Sequence, residues 1–117
     1  MNENRLPDYL QHMRQAAADA VGFVEGMSRD EFLADKRTQQ AVVMSLIVLG
    51  EAATKVMDRY PDFANAHAQI PWRSMRGMRN RIAHGYFDID LGVVWDTVQN
   101  ALPGLLGSVQ SLLEDME

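Results

Sequence analysis

At 117 residues the chain has room for one domain with its own core, and a hydrophobic share of 47% is too high for a disordered protein. The absence of cysteine excludes a disulfide framework or a thiolate metal site, and suits a reducing cytoplasm. A net charge of −5 argues against a protein that coats nucleic acid indiscriminately.

Met1 is followed by the polar residues Asn2, Glu3, Asn4 and Arg5, which do not read as a secretory signal, so a cytoplasmic location is expected. A first helix is predicted from near Arg5 or Leu6, because Leu6, Leu10, Met13, Ala17, Val21 and Val24 recur at helical spacing. Pro7 is tolerated in its first turn, and Gly26 is its expected stop. Ser28 and Glu31 form a capping box that opens a short helix through Phe32 and Leu33. A long second helix is predicted from about Thr38 to Arg59. Its apolar run, Ala41 to Leu49 broken at Ser45, is far short of the roughly 20 residues that span a bilayer, so no membrane contact is expected. Val42, Val43, Ile47 and Val48 suggest a strand, yet the segment continues through Glu51, Ala52, Ala53, Thr54 and Lys55 with helical composition. The apolar residues nearly encircle the helix axis, which places it centrally in a bundle or at a subunit interface.

Pro61 and Pro71 bracket a connection expected to be rich in turns. A third helix is predicted from Trp72 to about His84, with Gly85 just past its end. Asp88 and Asp90 offer N-caps for a last helix carrying Leu91, Val94, Val98, Leu102, Leu105, Val109 and Leu112, which Pro103 should kink. No segment reads convincingly as a strand. The prediction is an all-α fold, an antiparallel bundle of four main helices plus short helical turns, in a single domain over residues 1–117.

The charge is unevenly spread. Between Phe63 and Phe87 there is no acid, while Arg73, Arg76, Arg79 and Arg81 all fall there, so this segment carries +4 and the remainder −9. Such asymmetry focuses positive potential on one patch, although an arginine-rich surface helix is the plainer reading. No two of the histidines His12, His67 and His84 stand at the spacing of a helical metal site, and Asp88, four residues after His84, is better explained as a helix cap, so neither a metal nor any other cofactor is expected. Phosphate-cradling glycine loops and a serine nucleophile elbow are also missing.

The end of the third helix remains. Histidine moves protons near neutral pH, and arginine binds phosphate through a planar fork. Together they can cleave RNA, the histidine taking a proton from the 2′-hydroxyl and the arginine stabilising charge on phosphorus oxygens. DNA lacks that hydroxyl, so the mechanism selects RNA. The alternative is that His84 only caps the helix end. In a regular helix Arg79 and His84 stand about 140° apart, and the neighbours of His84 are Asn80 and Arg81. Arg79 joins them only if the helix end distorts or a second subunit completes the site.

The segment Arg79-Asn80-Arg81-Ile82-Ala83-His84-Gly85-Tyr86 resembles the R-x4-H-x-Y signature of HepT-like proteins in the HEPN superfamily. The likeness extends to Arg5–Leu10, Gly50-Glu51-Ala52, Trp72–Met78 and Val94–Val98. The resemblance implies a homodimer whose clefts lie between subunits, with Arg79 and His84 catalytic in an endoribonuclease toxin. It also implies an MntA-like minimal nucleotidyltransferase antitoxin that transfers AMP to Tyr86; the plainer role for Tyr86 is packing beside Phe87. Arg73, Arg76 and Arg81 are expected to bind RNA phosphates, with Asn80 and Glu51 in support. Glu51 follows an apolar stretch and should have a partner, either Arg79 or Arg76, unless it faces solvent or pairs with Lys55. The competing functional readings are a non-catalytic module that binds RNA or nucleotide or docks the nucleotidyltransferase, and a dimerisation bundle with an incidental basic face.

Overall fold

The computed structural model describes residues 4–85 and 88–117, and among these no strand occurs. Helix α1 (Leu6–Phe23) carries Pro7 in its first turn, where a missing N–H leaves nothing unpaired. The chain leaves α1 through Gly26 at φ 80°, in the left-handed region that favours glycine. Helix α2 (Arg29–Leu33) starts with the expected capping box, in which the Ser28 hydroxyl accepts from the Glu31 amide and the Glu31 carboxylate accepts from the Ser28 amide. Helix α3 (Lys36–Arg59) begins two residues earlier than periodicity placed it, because Asp35 takes both the amide and the hydroxyl of Thr38.

The connection after α3 is more ordered than expected. Pro61 presets the backbone at the first position of α4 (Pro61–Ala66), and only the stretch from His67 to Pro71 is turn. Helix α5 (Trp72–Gly85) includes Gly85, which corrects its placement just past the helix end. Gly26 alone has positive φ among the described glycines, so Gly85 forms no left-handed stop. Asp90 caps α6 (Leu91–Asp96) by accepting from the Val93 amide, while Asp88 lies in the turn before it. The disturbance from Pro103 takes the form of a π turn at Thr97–Ala101, directly before α7 (Leu102–Asp115). Widening the turn relieves the collision between the proline ring and the carbonyl of Gln99.

Helices α1 and α3 form a central antiparallel pair. The Arg5 amide donates to the Tyr60 hydroxyl at 2.9 Å, and Arg59 donates to the Tyr9 hydroxyl at 2.9 Å, which joins the start of α1 to the end of α3. Helix α5 packs on α3, α7 packs on α1, and α2 contacts both α3 and α6. Leu10, Met13, Phe32, Val42, Val56, Val98 and Val109 are fully enclosed where these helices meet. The result is an elongated bundle of 47 × 29 × 24 Å.

Helix α3 is central, as its composition suggested, yet it leaves Met44 60% exposed. Its apolar character also extends beyond the uninterrupted run. At 24 residues, with a mean hydropathy of 1.4 in its most apolar window, it is long and apolar enough by composition alone to cross a membrane. The core helix of a bundle passes the same test, and here Leu46, Leu49, Ala53 and Val56 are buried in the common core.

Candidate functional site

The site grows from the seam between α3 and α5. A β-carbon placed on Gly50 would lie 2.8 Å from the Met75 carbonyl oxygen and would collide with the Arg79 side chain. Glycine at this point therefore lets the two helices approach backbone to backbone, at the place where Arg79 leaves α5.

Arg79 is held from α3. One terminal nitrogen pairs with the Glu51 carboxylate, and the other faces the Thr54 hydroxyl at 3.4 Å. That hydroxyl in turn donates to the Gly50 carbonyl at 2.8 Å. The Arg79 Nε is buried and has no acceptor among the described residues. Of the partners open to Glu51, the structure selects Arg79. Arg76 faces Asp58 instead, at 3.9 Å. Contrary to expectation the Glu51 side chain is half exposed and not enclosed in apolar surroundings, while Arg79 is only 20% exposed. The pair is therefore screened on one side and shielded on the other.

His84, Asn80, Arg81 and Arg73 are exposed along α5, and Arg76 is partly covered. Helix α5 runs without a break from Trp72 through Gly85, so no distortion of its end brings Arg79 round to His84. The two stay about 140° apart around the axis and roughly 7.5 Å apart along it. Arg79 is engaged with α3, and His84 makes no side-chain hydrogen bond among the described residues. Tyr86, singled out as an AMP acceptor, lies outside the described residues. Among the described residues no group of three or more His, Asp or Glu side chains is placed to share a metal ion.

Two contributors escaped the sequence reading. Thr54 reads as a helix-forming position and acquires its role only when α5 lies against it. Gly50 had a legible signal, a glycine within an apolar helix next to a carboxylate, which marks a close approach.

The pattern of the family described as Ribonuclease HepT-like matches residues 13–112, spanning Glu51 and the whole of α5. A Methanocaldococcus jannaschii protein provisionally named as an RNase is 38% identical over 112 residues, covering 96% of this chain and 87% of that protein. A Thermococcus cleftensis protein provisionally named ribonuclease HepT is 37% identical over 105 residues, covering 90% of this chain and 93% of its own length. A Caldanaerobacter subterraneus protein, also provisionally named as an RNase, is 31% identical over 106 residues, 91% of this chain and 92% of that protein. No solved structure matches the chain.

Proposed function

This chain belongs to the Ribonuclease HepT-like family, and from that premise we propose that it is a metal-independent endoribonuclease toxin whose catalytic groups are Arg79 and His84. The observation that carries the reading is the fixing of Arg79 by Glu51 and Thr54 within the matched region. A phosphodiester cleavage gains most from charge that is already in place when the phosphorus oxygens become more negative.

The two residues point different ways on one regular helix, so the cleft is completed by a second copy of the chain. His84 takes the 2′-hydroxyl proton, the 2′-oxygen attacks the adjacent phosphorus, and the bond to the 5′-oxygen breaks. His84 of the partner subunit returns a proton to that leaving oxygen. The products are a 2′,3′-cyclic phosphate and a 5′-hydroxyl. Arg79 stabilises the developing charge, while Arg73, Arg76 and Arg81 hold neighbouring phosphates and Asn80 supports the cleft. The protein works in the cytoplasm, and an MntA-like nucleotidyltransferase antitoxin silences it by moving AMP from ATP to the Tyr86 hydroxyl, with loss of pyrophosphate. Bulk and negative charge two residues from His84 would block an anion-binding cleft.

One observation favours the rival reading of a non-catalytic RNA-binding or docking module: within one chain Arg79 is turned about 140° away from His84 on an unbroken helix. The experiment separating the two is cleavage of total and transfer RNA in EDTA by wild type and His84→Ala, with sizing and a thermal melt of both. Cleavage by wild type alone, with cyclic phosphate ends and a bell-shaped pH profile, supports the enzyme. A well-folded dimer, free of AMP at Tyr86, that binds RNA without cutting it supports the module.

A further inference from the structure

The far end of α5 from His84 opens into a cleft of about 530 Å³ between the end of α3, α4 and the first turns of α5. Its volume falls in the range of small-molecule sites. Arg73 and Arg76 stand on one wall, Asn65 and Asp58 on the others, and Pro61, Ala68 and Pro71 contribute the exposed apolar surface over the buried Trp72 and Ile70. The Trp72 ring is held in place by its indole N–H, which donates to the carbonyls of Ala64 and His67, both at 3.1 Å. The Arg73 and Ser74 amides at this helix start have no acceptor among the described residues. The contact between Arg76, 37% exposed, and Asp58, 63% exposed, is 3.9 Å long, too long for a hydrogen bond, and leaves the guanidinium fork open to a phosphate.

The cleft lies in line with the proposed cutting site. At about 100° per residue, Arg73, Asn80 and His84 fall within roughly 40° of one another around α5, with Arg76 beside them. All of them except Arg76 are exposed, so a polar stripe runs down the helix from His84 into the cleft. The distance from His84 back to Arg76 and Arg73 is roughly 12–16 Å along the axis, a few nucleotides of strand.

We infer that this cleft is a nucleotide subsite, in which Arg73 and Arg76 take a phosphate of the bound RNA and the adjoining base enters beside Asn65 against the apolar wall. This rests on the ribonuclease reading only for the identity of the ligand as RNA. A base within reach of the Asn65 amide is recognised by hydrogen bonds, so the subsite would add sequence preference at a position away from the bond that is cut. The net positive charge of the cleft, two arginines against one aspartate, matches such a ligand.

The test uses the full chain carrying His84→Ala and a fluorescein-labelled single-stranded RNA oligonucleotide, read by anisotropy. Asn65→Trp and Ala68→Trp fill the cleft from exposed positions, and a thermal melt checks that each variant folds. Each should weaken RNA binding about tenfold, the scale of one lost base contact. In parallel, 4-thiouridine placed along the oligonucleotide should photocrosslink to the stretch from Met57 to Arg76 a few nucleotides from the cut, and the crosslink should vanish in Asn65→Trp. Unchanged affinity in both folded variants, or crosslinks confined to other segments, would overturn the subsite. If wild type binds the RNA without cutting it, the enzyme reading falls while the binding and crosslinking results still decide the cleft.

Discussion

Gly50 and Arg79 meet where α3 and α5 cross, so closely that even a methyl group between them would press on the Met75 carbonyl and the Arg79 stem. Gly50→Ala therefore sets two effects against each other. Alanine is favoured over glycine in a helix by about 1 kcal/mol. Forcing a methyl into a packed seam costs about 1–3 kcal/mol, and here one neighbour is backbone, which cannot rotate away. The expected net result is destabilisation of up to about 2 kcal/mol, toward the upper end because the Met75 carbonyl is backbone, with Arg79 displaced and RNA cleavage reduced. Gly107 in α7 meets nothing within 4 Å, so Gly107→Ala should stabilise by about 0.5–1 kcal/mol. Urea denaturation of the two variants checks the opposite signs.

Glu51→Gln keeps an oxygen beside Arg79 and removes the charge. Because Glu51 is half exposed, the loss of stability should stay under about 1 kcal/mol. The loss of activity should be larger, about tenfold to a hundredfold, since a small misplacement of a catalytic group is expensive. Parallel measurement of kcat and the denaturation midpoint tests this. Equal and small effects on both would show that Glu51 serves the fold alone.

Phe32 has no exposed surface and its ring centre lies 5.4 Å from that of Trp95, so it ties the short α2 to α6. Phe32→Ala should cost about 3–5 kcal/mol, from lost burial and the cavity left behind. Five-residue helices have little stability of their own, so α2 is expected to detach before the bundle melts. Hydrogen exchange of residues 29–33 compared with α3 would detect this, and uniform protection in both segments would contradict it.

Much of this arrangement was legible because its causes are local. The Ser28–Glu31 box, the Asp90 cap and the apolar periodicity of α1 each depend on residues within one or two turns. The limits of that reading are equally specific. Pro61 reads as a breaker in the sequence, although proline also starts helices, and nothing local distinguishes the two roles. Gly85 looked like a stop, yet the backbone beside it stays helical. The choice of Arg79 over Arg76 by Glu51 depends on the register of α5 against α3, which is set by the Gly50 contact across the seam. Thr54 was invisible for the same reason. The combination of Arg79 with His84 was visible as a pattern, but a single regular helix does not bring the two side chains together.

The acid behaviour of the helix starts gives a prediction with a definite sign. The carboxyl of Asp35 is held below its ordinary value of 3.8, first by the Thr38 hydroxyl and then by the Thr38 amide. Glu31 is held below 4.5 by the Ser28 amide and hydroxyl. A depressed folded-state pKa means that the unfolded chain binds protons first, so stability falls as pH drops. The contribution is fully present above the ordinary values and is lost as pH falls through the lowered ones. Asp35→Ala should therefore destabilise clearly at pH 7, where the charged cap is intact, and by much less near pH 2. Urea midpoints of wild type and variant at the two pH values measure the difference. An effect of equal size at both would mean that the cap acts through the geometry of its hydrogen bonds and owes nothing to its charge.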